Sequence, residues 1–480
     1  MNEKKNKFSA KVVRDLIFSV GGLVAMNGVI QLLLYPQIKR TLGSEKFGDI
    51  LSILAVVSVL ATAIGTGANY ARMVAKTKNR GGNGDFNVFL LLSFIPVAII
   101  SVISSVLILG EKGIVFNALL IALSFLSVLR YYGDVEYRLN VNFVLFFVYY
   151  LLISVGYVVG TFMIKGGVFG DRLTWVTAII LGELLAVGFV AVSGSIFKGR
   201  EALKVSPEFG ANMKTVMFLV ATNFINALVL QADKLLLNVF VNGEAVTVFY
   251  IATLIGKVIA MLTTPLNGII IGYLARYKGK FTAKFFTVVT VASLAVSVVF
   301  TAGGVLVSHI FVKWMYPDVY SEAAVYFLVA NAGQVLYFIS GTMMVVVLRF
   351  VHERFQLIIN MVYAALFAAI VIPLVWKFGI WGITWGLLAV NVLRFLLVAA
   401  VGYAHVGKND GKNDGPDGIP EETTREIPEK EKREIPEKVA QNTEDETREN
   451  AEKVEETAEK ASEAEDSRNV KKEDLRRQSH

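Results

Sequence analysis

Cysteine is absent from the 480 residues, and histidine occurs four times, at His309, His352, His405 and His480. A disulfide framework and a thiolate metal site are therefore excluded, and the histidines lie too far apart in sequence to suggest a metal cluster. Charge is scarce as well: Asp, Glu, Lys and Arg make up 18% of the chain. A Gly-rich phosphate loop of the Walker type is missing, which argues against ATP hydrolysis by this chain. Neither HExxH nor GxSxG occurs, and no polar stretch large enough for a soluble catalytic domain interrupts the apolar region. No metal and no cofactor is expected, and nothing points to nucleic acid. No small-residue cleavage site follows the first apolar run, so that run is read as a membrane span rather than a leader.

What is present in their place is apolar sequence. The apolar fraction is 54% and the mean hydropathy +0.56, too high for a soluble globular chain of this length. Between Leu16 and Tyr403 the apolar stretches are each about 20 residues long, the length that crosses a bilayer as a helix. Segments such as 86–109, 143–164 and 283–309 are apolar all round, whereas a surface helix of a soluble protein keeps one polar face. Twelve spans are predicted, near 15–36, 48–70, 86–109, 114–130, 143–164, 173–197, 214–240, 246–275, 284–311, 322–348, 355–376 and 379–403. The fold class is all-α: a polytopic membrane protein.

The loops between these spans alternate in charge. One set, with the N-terminus, carries 21 Lys and Arg and the other set 8. The positive-inside bias then makes both termini cytoplasmic. Residues 1–402 balance at +15 and residues 403–480 at −8. The tail repeats Gly-Lys-Asn-Asp at Gly407 and Gly411 and Ile-Pro-Glu at Ile419, Ile427 and Ile435. Proline at each repeat opposes helix and charge density opposes collapse, so a disordered cytoplasmic tail is expected, dispensable for the work of the spans.

Weak self-similarity relates the two halves. Gly167-Val168-Phe169-Gly170 resembles Gly379-Ile380-Trp381-Gly382, and Gly43–Gly48 has a looser counterpart in Gly243–Tyr250. A six-plus-six arrangement follows, with lobes at 1–200 and 201–403 and the tail at 404–480; two such lobes typically hold a substrate at their interface.

The order of these motifs resembles the bacterial polysaccharide repeat-unit flippases (Wzx-type) of the multidrug/oligosaccharidyl-lipid/polysaccharide exporter superfamily. Leu42-Gly43-Ser44-Glu45-Lys46-Phe47-Gly48 looks like that family's entry to span 2. Gln231-Ala232-Asp233-Lys234 looks like its Asp-basic stretch in span 7, and Val248–Ala252 with Pro265-Leu266 like its span 8. Phe378–Gly382 is similar to the hairpin before its last span, although Trp381 stands where a smaller residue is expected. The resemblance covers residues 10–402. It implies that spans 1, 2, 7 and 8 line a central cavity. The lipid II flippase of the same superfamily usually has two further spans, which this chain lacks.

An ionisable group in mid-membrane implies a wet cavity or a partner. Lys257 in span 8 is either a cavity cation, able to bind phosphate as a point charge, or the partner of a carboxylate. Glu183 in span 6 is a proton or cation site, an ion-pair partner, or a neutral hydrogen-bonded acid. Arg394 in span 12 either faces the cavity or snorkels. Asp233 and Lys234 point about 100° apart on one helix and should not simply neutralise each other. Asp49, at the mouth of span 2, reads as interfacial. Polar neutrals gather in the spans expected to line the cavity: Asn27 and Gln31 in span 1, Asn223, Asn226 and Gln231 in span 7, and Thr263, Thr264 and Asn267 in span 8.

The expected function is to flip a polyprenyl-diphosphate-linked oligosaccharide to the outer leaflet by alternating access. Lys257, Lys234 and Arg394 would meet the diphosphate and Asn27, Gln31, Asn223 and Asn226 the glycan, with ion coupling at Glu183 or Asp233. The implied partners are the lipid-linked oligosaccharide, membrane lipid, and glycan polymerase or assembly proteins. A cation-coupled extruder of the same superfamily is the alternative, and a membrane glycan polymerase or ligase a more distant one.

Overall fold

The computed structural model describes residues 2–406 apart from positions 79, 81, 141, 199, 262–266, 268–269, 271–273, 275–280 and 353. The predicted tail, and within span 8 Thr263, Thr264 and Pro265, lie outside the described residues. Every described element is helical. Ten helices long and apolar enough to cross a membrane are α1 (Ile17–Leu42), α2 (Ser44–Thr77), α3 (Asn83–Leu109), α4 (Ile114–Leu139), α5 (Phe143–Gly166), α6 (Leu173–Ser193), α7 (Phe209–Phe240), α8 (Gly243–Ala260), α9 (Ala283–Met315) and α10 (Phe327–Leu348). An eleventh run, Arg354–Ala404, has 51 residues, about 76 Å as one helix at 1.5 Å per residue, more than twice the hydrocarbon core. It is broken at Gly379, whose φ of 55° and ψ of −127° are not helical. The break makes a hairpin of α11 (354–378) and α12 (380–404).

Glycines make both the turns and the packing. Gly167 and Gly170 between α5 and α6, Gly43 between α1 and α2, and Gly379 all have positive φ, a conformation that costs glycine nothing. The two hairpins that look alike in sequence also pack alike. A Cβ on Gly156 or Gly160 of α5 would lie 2.5 Å from Gly182 Cα or 2.4 Å from Ala178 O of α6, and one on Gly382 of α12 would lie 1.9 Å from Leu374 O of α11. Small residues let these backbones touch, which is how helices associate where lipid supplies no hydrophobic drive. Gly160→Val is therefore expected to reduce the yield of monodisperse protein in fluorescence-detected size exclusion. Gly28→Val, with nothing within 4 Å of the added carbon, should leave that yield unchanged.

Helix α2 contains a π-helical turn, Ala61–Thr66, and further ones lie in α1 (Ile30–Leu34), α3 (Ser105–Leu109) and α11 (Phe367–Val371). The α2 turn is built of small residues because α2 is clasped. A Cβ on Gly65 would sit 2.5 Å from Val128 O of α4, and one on Gly67 2.8 Å from Val220 of α7. The outside of the bundle is apolar: Leu107 is 78% exposed, Trp376 74% and Val298 70%. A surface of that kind belongs in lipid. The chain is a multi-pass membrane protein.

Candidate functional site

Helix α7 reaches its charged stretch two turns before its end, where α8 folds back beside it. Asp233 is buried there. Its Oδ2 accepts from Lys257 Nζ of α8 at 2.6 Å, and Lys234 Nζ lies 3.7 Å from Oδ1. Lys234 Nζ also donates to Gln231 Oε1, and Gln231 Nε2 donates to Ser58 Oγ of α2 at 3.1 Å. The cluster thus joins α2, α7 and α8. Asp233 and Lys234 do not simply neutralise each other: the lysine stem brings its ammonium back over the 100° between their Cβ directions, but Lys257 makes the shorter contact to the carboxylate. Lys257 is both paired and accessible, its side chain 29% exposed, with the Phe249 and Tyr250 rings each 5.9 Å from its ammonium. Two ammonium groups face one carboxylate, so the cluster keeps an excess positive charge.

Arg394 does not snorkel. Its guanidinium is boxed between Tyr337 at 4.4 Å and Tyr363 at 5.2 Å, donates to Tyr337 O at 3.3 Å, and is 8% exposed. Arginine favours such aromatic faces because its planar cation is weakly hydrated.

Glu183 stands elsewhere. Its Oε2 lies 2.6 Å from Arg130 Nε of α4, and its Oε1 accepts from Tyr157 of α5 at 2.8 Å. The side chains of the pair are 12% and 3% exposed. Of the three readings open for Glu183, this is the ion pair. Its partner Arg130, the last residue of the predicted span 114–130 and one of the 21 Lys and Arg of the basic loop set, is inside the bundle, because the first helical segment of α4 runs on to Gly133. One turn beyond, Asp134 accepts from Asn69, from Tyr150 at 3.1 Å and from Arg138 at 2.8 Å, tying α2, α4 and α5 together. Neither Arg130 nor this network stood out in the sequence. The signal available was the run Tyr131-Tyr132-Gly133 after Arg130, which continues the apolar span.

The polar neutrals divide. Asn27 and Asn223 donate to carbonyls of their own helices, Leu23 O and Leu219 O, both at 2.8 Å, and Asn226 is exposed. Asn267 is part-buried and leaves its Oδ1 without a partner among the described residues. Gln31 accepts from the Tyr250 hydroxyl of α8, beside Tyr35, Phe47 and Tyr250, whose rings meet edge-on at 5.8–5.9 Å. Around this aromatic knot α2 and α8 touch backbone to backbone: a Cβ on Gly48 would lie 1.6 Å from Gly243 O. Thr247 donates to Ser44 O at 2.6 Å, Asn238 to Asp49 at 2.7 Å, and Lys39 pairs with Asp318. Asp49 is thus held by α7, and the two halves of the chain are closed against each other at this end. Trp381 is accommodated at the surface, 46% exposed, against the Tyr326 ring at 4.7 Å.

No protein-family model matches the chain, and no curated protein does. Solved structures do. The lipid II flippase MurJ in an inward closed conformation superposes with a TM-score of 0.60 at 13% identity, over 82% of this chain and 86% of that one. An inward-facing multidrug resistance MATE family transporter of the MOP superfamily gives 0.56 at 16%, over 81% and 96%. The Vibrio cholerae MATE transporter VcmN in the bent form gives 0.53 at 14%, over 83% and 97%. The chain has the fold of the MOP-superfamily transporters.

Proposed function

We propose that this protein flips a polyprenyl-diphosphate-linked oligosaccharide across a bacterial cytoplasmic membrane, for assembly of a cell-surface polysaccharide. The observation that carries the reading is the cluster of Lys257, Lys234 and Asp233, with its surplus positive charge between α7 and α8 and its accessible Lys257. A diphosphate cannot cross hydrocarbon unaided, and a hydrated ammonium can offset its charge while the substrate moves. The lipid tail stays in the bilayer. Arg394 adds to the positive region; Asn27, Asn223 and Asn226 retain carbonyl oxygens for glycan hydroxyls, and Gln31, whose Oε1 takes the Tyr250 hydroxyl, retains its amide nitrogen. The lobes are 1–200 and 201–403. Opening of the contacts between Lys39 and Asp318, Ser44 and Thr247, and Gly48 and Gly243 would release substrate outward. Loading of Glu183 or Asp233 by a proton or cation would loosen its ion pair and couple transport to a gradient. The extruder alternative is less well served: a cationic drug needs a free carboxylate, and Asp233 and Glu183 each already hold a cation.

The decisive experiment uses purified protein in vesicles carrying the lipid-linked oligosaccharide in both leaflets, with a membrane-impermeant glycosidase outside. Cleavage of the inner-leaflet pool is the expected result. A pool that stays protected while the same vesicles move a cationic dye would overturn the reading. Orientation is checked separately. A cysteine placed at Gly167 in this cysteine-free chain is expected to react with an impermeant maleimide in intact cells; reaction only after permeabilisation would reverse the topology.

A further inference from the structure

Two cavities meet where Ser195, Phe197, Ala202 and Leu203, of the segment linking the halves of the chain, lie over the start of α3. The first, about 420 Å³, is walled by Arg72, Lys76, Arg80, Asn83, Glu136 and Ser195. Its charges are unequal in their freedom. Glu136 is 6% exposed, and its carboxylate accepts from Ser195 Oγ at 3.1 Å and Asn140 Nδ2 at 3.1 Å. Arg72 donates to the Tyr132 hydroxyl at 3.0 Å and to Asn83. Among the described residues, Lys76 and Arg80 have no ion-pair partner. Three cations thus face one carboxylate whose hydrogen bonds are already made, a basin suited to an anion.

The second cavity, about 550 Å³, is apolar, with Leu90, Leu91, Phe125, Leu129, Phe197 and Leu203 in its wall. It continues the first. Asn83 and Phe86 line the basin, while Asn87 and Leu90, each one turn further along α3, line the groove. Four residues of helix advance about 6 Å. Ser195 and Phe197 repeat the relation on the linking segment, and the Phe197 ring lies 6.3 Å from that of Tyr132, the residue that takes Arg72. At the join, Asn87 is 6% exposed. Its amide nitrogen donates to Ile196 O at 2.7 Å and Ala202 O at 2.8 Å, yet its Oδ1 has no partner. A cationic basin, a buried acceptor lacking a donor, and an apolar groove follow one another into the membrane.

We infer that this is a binding site for an anionic glycerophospholipid with a hydroxyl-bearing headgroup, of the phosphatidylglycerol type. The phosphodiester would sit by Lys76 and Arg80, a headgroup or glycerol hydroxyl would donate to Asn87 Oδ1, and an acyl chain would fill the groove beside Phe125 and Leu203. Basic pockets between spans on the cytoplasmic side are where anionic lipids bind. A choline headgroup would bring a cation into the basin, and a free phosphate would leave the groove empty. None of Asp233, Lys234 or Lys257 lines either cavity, so the site is independent of the transported substrate. Its consequence is mechanical: the linking segment is already clamped by Asp85, which accepts from Ser206 N and Oγ at 2.7 Å and from Asn212 at 2.8 Å, and a bound lipid would stiffen it further.

The test is the thermal unfolding midpoint of the purified full chain in detergent, titrated with phosphatidylglycerol, phosphatidylcholine or inorganic phosphate, since a ligand of the folded state raises the midpoint. Phosphatidylglycerol is expected to act at least tenfold below the concentration at which phosphatidylcholine does. The double variant K76Q/R80Q should move that curve about tenfold toward weaker binding and leave the lipid-free midpoint unchanged, because Lys76 is exposed and Arg80 half-buried. Leu91→Trp, filling the groove from its 55% exposed edge, should weaken the same curve. Equal action of the two lipids, an unshifted curve in the double variant, or a phosphate effect matching that of phosphatidylglycerol would each overturn the inference, the last by making the basin a free-anion site.

Discussion

Glu183→Ala is expected to cut the yield of folded protein more than any other single charge substitution in the bundle. Among the described residues the Arg130 guanidinium has one carboxylate partner, its side chain is 12% exposed, and the pair is closed over by Tyr157. Removing one member of a buried pair typically costs about 3–5 kcal/mol, because the remaining charge is left uncompensated in a low-dielectric site. The two members are not equivalent in that respect. A carboxylate left alone can take up a proton and become neutral, whereas a guanidinium cannot shed its own. Arg130→Met should therefore be milder than Glu183→Ala, and the double variant Arg130→Met/Glu183→Leu should recover much of the loss. The midpoint of thermal unfolding in detergent ranks the four proteins. Equal losses in both single variants, with no recovery in the double, would show that the pair matters through packing rather than charge.

That ion pair marks a boundary of what can be read from residues alone. The spans are legible because an all-apolar helix needs no partner to be recognised, and the hairpin turns because glycine at positions 43, 167, 170 and 379 serves a backbone conformation that other residues resist. The break at Gly379, which separates α11 from α12, was visible as a motif before it was visible as a φ angle. That Lys257, Glu183 and Asp233 lie within apolar helices was legible. Partnership was not. Glu183 and Arg130 are 53 positions apart, and nothing in either span names the other. Arg130 was further hidden by its place at the end of an apolar run, where a basic residue ordinarily marks the membrane surface.

The polar neutrals illustrate a second limit. Asn27 and Gln31 share a face of α1, yet one hydrogen-bonds its own helix and the other reaches Tyr250 of α8. Identical side-chain chemistry serves the helix, the interface or a ligand depending on which acceptor is nearest, and that is a fact of packing. The π-helical turns are of the same kind. The turn at Ala61–Thr66 exists because α4 and α7 press on α2 from two sides, and no local propensity announces it. Gln231 is the converse case: read as one polar neutral among several, it holds Lys234 in place and ties the charged cluster to Ser58.

Lys257→Ala, in contrast to Glu183→Ala, is expected to leave folded protein near its normal level while abolishing most transport. The difference lies in the count of partners. Asp233 has two ammonium neighbours, so removal of Lys257 leaves its carboxylate beside Lys234 at 3.7 Å, and no uncompensated charge is created. Lys257 itself is the more accessible of the two lysines, 29% exposed against 15%, and on the proposed function would be the one to meet a diphosphate first. Lys257→Arg should retain a good part of the transport, since a mobile diphosphate needs charge more than fine geometry. Asp233→Asn should do the reverse of Lys257→Ala: it leaves two ammonium groups without a carboxylate, lowering stability and holding the substrate more tightly than turnover allows. Parallel measurement of membrane abundance and of flipping in vesicles separates these outcomes. A sharp drop in the abundance of Lys257→Ala would make the lysine a structural partner of Asp233. Full flipping by a normally abundant Lys257→Ala protein would remove the cluster from the transport path, and the surplus charge of the site would then need another purpose.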